Sequence, residues 1–216
     1  MPAFDAQTTP WARVNSGTSM TVAHTCSWTN RCIVVNVGTT GNLVTGVTYG
    51  GVSMTQVWSY SADGAWNGCT AWYLANPASG SNNVVISTSS ATHIMCQIAS
   101  YTSVNQSTPV GASVTNWPTS TTSFTQTVTT TVNNSWLVGL GKGRNGSTIT
   151  AGSNTFVRAN VEILLTGLYV IDSNSAQTPT GSKSMNVTSA SQEFNGTMFE
   201  LIDIWVTERW QFFQFF

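Results

Sequence analysis

Two adjacent glycines, Gly50 and Gly51, inside the stretch 44–57 that reads VTGVTYGGVSMTQV, constrain this chain more than any other feature. Glycine takes the positive φ that both central residues of a type I′ turn require, so the flanking residues fold back as an antiparallel hairpin. Pairing outward from the turn sets Tyr49 against Val52, Thr48 against Ser53 and Val47 against Met54. Directly opposed residues share a face. One face then carries Tyr49, Val52, Val47 and Met54, and the other Thr48, Ser53, Gly46 and Thr55. One apolar face and one polar face make a half-buried antiparallel ribbon, the building unit of a β-sandwich.

The same alternation recurs along the chain. Residues 18–26 (TSMTVAHTC) set Met20, Val22 and His24 on one side and Thr21, Ala23 and Thr25 on the other. Residues 31–39 (RCIVVNVGT) are denser in β-branched side chains and read as a central strand buried on both faces. Residues 66–75 form a further strand closed by the Asn76-Pro77 break. Strands at 84–89 and 93–102 follow, with a turn around Ser90-Ala91. The Ser/Thr/Asn/Pro-rich segment 104–123 reads as a long loop. Residues 124–132 (FTQTVTTTV) alternate strictly, Asn133-Asn134 turns the chain into 136–141, and GKGRNGS reads as a loop. The apolar run within 157–172 reads as one central strand broken near Gly167. Segments 183–188 and 197–207 complete the set.

No segment carries a sustained helical period. About a dozen short strands punctuated by turns predict an all-β fold, an antiparallel β-sandwich of jelly-roll-like form. At 216 residues the chain suits one such domain, since these folds commonly run to about 200–250 residues. The expected organisation is an N-terminal arm at 1–17, the sandwich at 18–204 and an aromatic tail at 205–216.

Charged residues make up only 7% of the chain, against an average of about 25%. Seven basic and eight acidic residues leave a net charge of −1, with no basic run. Nucleic-acid binding and attraction to an anionic membrane therefore have no electrostatic basis. The start, MPAFDAQTTPWARVNSG, lacks the basic and apolar regions of a secretory signal. No apolar run is long enough for a transmembrane helix, so membrane insertion is not expected. The opening Met-Pro reads as a native start, which suits a protein that leaves its cell by lysis inside a virus particle.

Of the four cysteines, Cys26 and Cys32 flank the short link SWTNR and can be bridged across a hairpin, whereas Cys69 and Cys96 read as small core side chains or neighbours. His24 with Cys26 and Cys32, and His93 with Cys96, offer ligand types but not the paired spacing of a zinc site, so no metal or other cofactor is expected. The carboxylates are dispersed and GxSxG is absent, so no catalytic residue is assigned and the chain reads as a non-enzyme.

Aromatic residues are the remaining candidates. Tyr60 and Trp66 in SYSADGAW and Trp117 in TNWPTS are candidates for stacking on sugar rings, against the plainer reading that several tryptophans belong to the core. The tail gathers Trp205, Trp210, Phe212, Phe213, Phe215 and Phe216 into twelve residues. It either continues into its own core or docks onto a neighbouring subunit.

The order VTGVTYGGVSMTQV, TAWYLANPASGSNNVVIST, SYTSVNQSTPVG and SWLVGLGKGRNGSTITAGSNT resembles a group of β-sandwich proteins of bacteria, bacteriophages and environmental metagenomes, found alone or as modules of surface and phage-structural proteins. The resemblance spans residues 18–203 and implies the sandwich, but carries no activity with it. The extension WVTERWQFFQFF departs from the group's pattern. Together these observations favour a structural subunit of a phage virion surface (decoration, cement or fibre) or a similar extracellular assembly, its partners being other copies or other structural subunits. The alternative is a carbohydrate-binding module or adhesin that recognises a host surface glycan.

Overall fold

The computed structural model describes residues 1–9, 14–41, 43–61, 68–144, 148–163, 166–190 and 193–207. Within them the chain is built of antiparallel strands, with one 3-10 turn at Ile204–Thr207 and no α-helix. It opens with β1 (Ala3–Thr8), β2 (Val14–Cys26) and β3 (Cys32–Thr39). The glycine hairpin then forms as its sequence dictates. Gly50 and Gly51 take φ of 56° and 82°. β4 (Val44–Tyr49) meets β5 (Val52–Ser53) with Thr48 opposite Ser53 and Tyr49 opposite Val52. Val47, Tyr49 and Met54 are buried, but Val52 stands 54% exposed at the rim, where β5 is only two residues long.

β6 (Thr55–Tyr60) leaves the hairpin and pairs with β7 (Gly68–Ala75). With β8 (Gly80–Thr102) these strands run in the order β5-β4-β8-β3-β7-β6, and β1 and β2 also pair with β8. Met54 alone links the two end strands of that order, so the eight-stranded sheet curls nearly into a barrel. β8 is its spine. The first half is clasped between β2 and β4, and the second between β1 and β3. The turn expected at Ser90-Ala91 does not form. The run STSSAT holds no glycine or proline to force one, and register shifts in β2 and β4 accommodate the change of partners. Residues 3–8, read from sequence as part of an arm, belong to this sheet as β1.

A five-stranded sheet packs beside it. It comprises β9 (Val110–Ser120), β11 (Trp136–Arg144), β13 (Phe156–Ile163), β14 (Thr166–Asp172) and β16 (Glu193–Leu201), in the order β13-β14-β11-β16-β9. A three-stranded sheet follows, of β10 (Ser123–Thr130), β12 (Thr150–Ala151) and β15 (Gly181–Thr188) in the order β10-β15-β12. Two expectations are corrected here. Much of the segment read as a loop at 104–123 is the edge strand β9, whose Ser, Thr and Asn side chains suit an edge half in water. The run at 157–172 is two strands, β13 and β14, with Ile163 opposite Thr166.

Three hydrophobic clusters fill the spaces. One lies inside the curl of the large sheet, one between that sheet and the five-stranded sheet, and one between the five- and three-stranded sheets. β3 is buried on both faces: Ile33, Val35 and Val37 face the interior of the curl, while Cys32 and Val34 face the five-stranded sheet. β14 repeats this, with Leu168 and Val170 on one side and Tyr169 and Ile171 on the other. Each such aliphatic side chain contributes about 1.5–3 kcal/mol of transfer free energy. Gly141 and Gly196 make room for Tyr169: a Cβ added at Gly141 would fall 2.4 Å from the Tyr169 hydroxyl, and one at Gly196 2.9 Å from it.

All four cysteines are free and buried. The bridge expected between Cys26 and Cys32 is absent. Cys26 points into the curl and Cys32 toward the five-stranded sheet, so their thiols belong to different cores.

Candidate functional site

Two of the three aromatic residues singled out for sugar stacking come together at one end of the molecule. Tyr60 closes β6, and Trp117 lies near the end of edge strand β9. Their ring centroids are 6.0 Å apart at an interplanar angle of 59°. Trp58 stacks on the inner side of Tyr60, at 6.3 Å and 9°. Tyr60 is buried, whereas Trp117 is 65% exposed. The Lys142 ammonium of β11 lies 5.6 Å from the Tyr60 ring centroid, at cation–π range. Trp66, the third residue singled out, lies outside the described residues.

The floor of this end is set by strand register. Lys142 sits directly opposite Asn195 of β16, so both project from the same face. On its other side β16 pairs with β9, with Phe194 opposite Thr119 and Gly196 opposite Asn116. Trp117 and Pro118 therefore share the position across from Asn195, a β-bulge of the kind that re-aims side chains beside sites. Asn195 is 1% exposed, and neither its amide nitrogen nor its oxygen has a hydrogen-bond partner among the described residues.

Sequence reasoning missed Lys142 and Asn195. The first was read within a glycine-rich loop, although it continues the every-second-residue series Trp136, Val138 and Leu140 that faces the same core. The sequence marks Asn195 only as one of five N-x-S/T triplets of the number expected by chance, and its neighbours are fixed by pairing between distant strands.

The opposite end also carries exposed aromatics. The link between β2 and β3 bonds to the segment after β8, Ser103 N to Thr29 O at 3.5 Å and Val104 N to Asn30 O at 2.9 Å. That segment in turn holds residues 203 and 204, with Val104 bridged to Asp203 and Ile204 N donating to Ser103 O at 3.2 Å. Trp28 in the link is 78% exposed and Trp205 in the final turn 60%. Trp28 also has φ of 64°, a left-handed backbone that costs a bulky side chain energy. Arg31 holds the Trp28 carbonyl through its guanidinium and donates to Pro77 O at 2.9 Å. Trp210, Phe212, Phe213, Phe215 and Phe216 lie outside the described residues.

A buried polar network offers chemistry but not a catalytic order. Ser100 Oγ donates to Asp5 Oδ2 at 2.8 Å and so accepts from His24 Nε2 at 3.1 Å. Thr8 Oγ1 then donates to His24 Nδ1 at 2.8 Å. In a hydrolytic triad the carboxylate holds the histidine and the histidine takes the serine proton. Here the serine proton is held by the carboxylate, and His24 is 2% exposed. Burial lowers the His24 pKa to about 4 against a smaller opposing pull from Asp5. The network ties β1, β2 and β8 together. Beneath the glycine turn, an open depression of about 420 Å³ is lined by neutral groups, among them Thr48, Asn82 and Asn83. Among the described residues no three His, Cys, Asp or Glu side chains converge as a metal site would require.

No family model matches the chain. No curated protein and no solved structure matches it either.

Proposed function

We propose that this chain is a non-enzymatic structural protein, a subunit of an extracellular assembly such as the surface of a phage particle, and that it docks onto neighbouring copies through the end bearing Trp28 and Trp205. The observation that carries this reading is the exposure of both indoles, at 78% and 60%, at the end where the aromatic segment 208–216 begins. Large exposed aromatics clustered at one end mark an interaction surface, and tryptophan is enriched among the residues that dominate binding energy. Trp28 adds a strained backbone to its exposure, a combination expected where function offsets the cost. The resemblance to surface and phage-structural modules supports an extracellular setting. The packing of the large sheet on the five-stranded one supports reading the fold as a sandwich of jelly-roll kind.

Light scattering coupled to size-exclusion chromatography tests the proposal. The full chain should run as an oligomer, a chain ending at Thr207 as a folded monomer, and Trp28→Ser as a weakened oligomer. A full chain that stays monomeric at about 100 μM sinks it, because specific interfaces of ordinary size hold at that concentration.

A carbohydrate-binding or adhesin role is the second reading, favoured by the meeting of Tyr60 and Trp117.

A further inference from the structure

β11 and β16 set a buried lysine directly across from a buried asparagine. Lys142 is 2% exposed and Asn195 1%, and the register pairs them on one face. Lysine is almost never buried to this degree. The Lys142 stem extends the apolar series Trp136, Val138 and Leu140, and its nitrogen stays inside, 5.6 Å from the Tyr60 ring centroid. Neither polar atom of the Asn195 amide has a hydrogen-bond partner among the described residues. A buried amide in that condition is costly and calls for a role. Sealed from solvent, it is closed to any free ligand. The reactive group that the fold brings to it is Lys142.

We propose that Lys142 and Asn195 are the partners of an intramolecular isopeptide bond, which the folded chain forms by itself between β11 and β16. Directly opposed Cα atoms of an antiparallel pair lie about 4.5–5.5 Å apart, within the span of a lysine stem of four methylenes. Glu193 supplies the carboxylate that such a reaction needs. It stands two residues before Asn195 on the same face of β16 and is partly buried. That makes it the diagonal neighbour of Lys142, a separation of roughly 7–8 Å that long side chains bridge. The Glu193 carboxylate takes a proton from the Lys142 ammonium. The freed lone pair adds to Asn195 Cγ, and the carbonyl π electrons move onto Oδ1. Glu193 then relays a proton from Nζ to Nδ2, the Cγ–Nδ2 bond breaks with its electron pair, and the Cγ=Oδ1 bond re-forms. Ammonia leaves and takes up the first proton as ammonium, which restores the carboxylate. One C–N bond forms, one breaks, and nothing is oxidised or reduced. The closed site keeps water from the intermediate. The link ties the two strands across the middle of the five-stranded sheet and closes the segment that holds β12 to β15. It stands apart from both readings of function given above.

Electrospray mass spectrometry of the reduced full chain tests the bond. The folded protein should weigh about 17 Da less than its sequence requires, the mass of one ammonia. Lys142→Arg and Asn195→Ala should each have their full sequence mass. Glu193→Gln, which keeps the shape but cannot carry the proton, should stay unlinked as well. In the parent, trypsin should fail to cut after Lys142, and tandem spectra should show one branched fragment that joins 32–144 to 184–209. That fragment reads the bond in the parent alone, whether or not a variant folds. A parent at full sequence mass overturns the proposal. So does a deficit of the same size that survives Lys142→Arg, since attack by the Gly196 backbone nitrogen on Asn195 also releases ammonia and needs no lysine. Linkage that persists in Glu193→Gln overturns the proton relay assigned to that residue.

Discussion

The side-chain amide nitrogen of Asn36 lies 2.7 Å from the carbonyl oxygen of Gly141, in a different sheet and 105 residues away. The same nitrogen donates to Tyr169 O at 2.9 Å, and the Asn36 oxygen accepts from the Cys69 thiol at 3.3 Å. Asn36 is fully buried. One polar side chain on β3 thus fastens the large sheet to two strands of the five-stranded sheet, and the Tyr101 hydroxyl of β8 adds a bond to Asp172 Oδ2 of β14 at 3.2 Å. Gln126 makes the corresponding link from the three-stranded sheet, donating to Gly196 O at 3.1 Å. Hydrophobic contact alone is non-directional and lets sheets slide. These amide bonds fix how the layers sit on one another.

Replacement of Asn36 by alanine should therefore cost about 2–4 kcal/mol, more than the loss of side-chain volume explains, because two buried carbonyls lose donors. Urea unfolding at neutral pH measures it. A cost under about 1 kcal/mol would mean that water replaces the amide and that the layers are held by packing alone.

Glu200 performs a similar task with a carboxyl group. It is fully buried on β16, and its carboxylate accepts from the backbone of Ala112 at 3.2 Å, Thr131 at 3.0 Å and Val132 at 3.2 Å, and from the Thr131 hydroxyl at 2.8 Å. The acceptor joins edge strand β9 to the turn between β10 and β11. Glu200→Ala should lose about 3 kcal/mol, since several donors are stranded at once, and Glu200→Gln should lose less. Equal losses in the two variants, read from their urea midpoints, would show that shape rather than acceptor capacity matters at this position.

How much of this was legible in the sequence follows from the range of each interaction. The hairpin around Gly50-Gly51 is local, and its turn chemistry names the register outright. The two-sided burial of β3 shows in a run of β-branched residues, and the buried series Phe124, Gln126, Val128 and Thr130 shows in strict alternation. The continuity of β8 through Ser90-Ala91, the pairing of β9 and the division of 157–172 into β13 and β14 depend on partners far along the chain. A polar edge strand and a polar loop have the same composition. Trp117 and Tyr60 could be singled out as aromatics near turns. Lys142 and Asn195 could not, because their neighbours are set by the register of β11, β16 and β9. The unformed Cys26–Cys32 bridge has the same origin: sequence separation was short, but the two thiols face different cores.

The free cysteines have a chemical consequence. Burial pushes the Cys69 and Cys96 thiols up to about 12 and raises Cys26 and Cys32 as well. The thiolate is the reactive form, so buried neutral thiols are inert. In Ellman's assay at pH 8 the folded protein should show almost no reaction, and all four thiols should appear in concentrated urea. Fewer than four in urea without reductant would reveal a disulfide.

His24 gives the fold a dependence on pH whose direction is fixed by its bonds. In the folded protein its ring is neutral, with Nε2–H donated to Ser100 and Nδ1 accepting from Thr8. Its pKa is lowered from 6.5 to about 4. In the unfolded chain the ring takes up a proton as pH falls through 6.5, while in the folded protein it resists until about pH 4. The unfolded state therefore binds more protons between those limits, and stability falls as pH is lowered across them. No stability is lost on this account above pH 6.5, and the loss amounts to about 3 kcal/mol by pH 4. Carboxylates add their own titration toward the lower limit, so the informative quantity is the difference between the parent and His24→Gln. That variant keeps polar atoms near Thr8 and Ser100 but cannot take up the proton. Chemical unfolding at half-unit steps from pH 7.5 to 4 should show the parent losing stability relative to His24→Gln, beginning near pH 6.5. Parallel curves would mean that His24 is protonated inside the fold without cost, with Asp5 compensating its charge through Ser100.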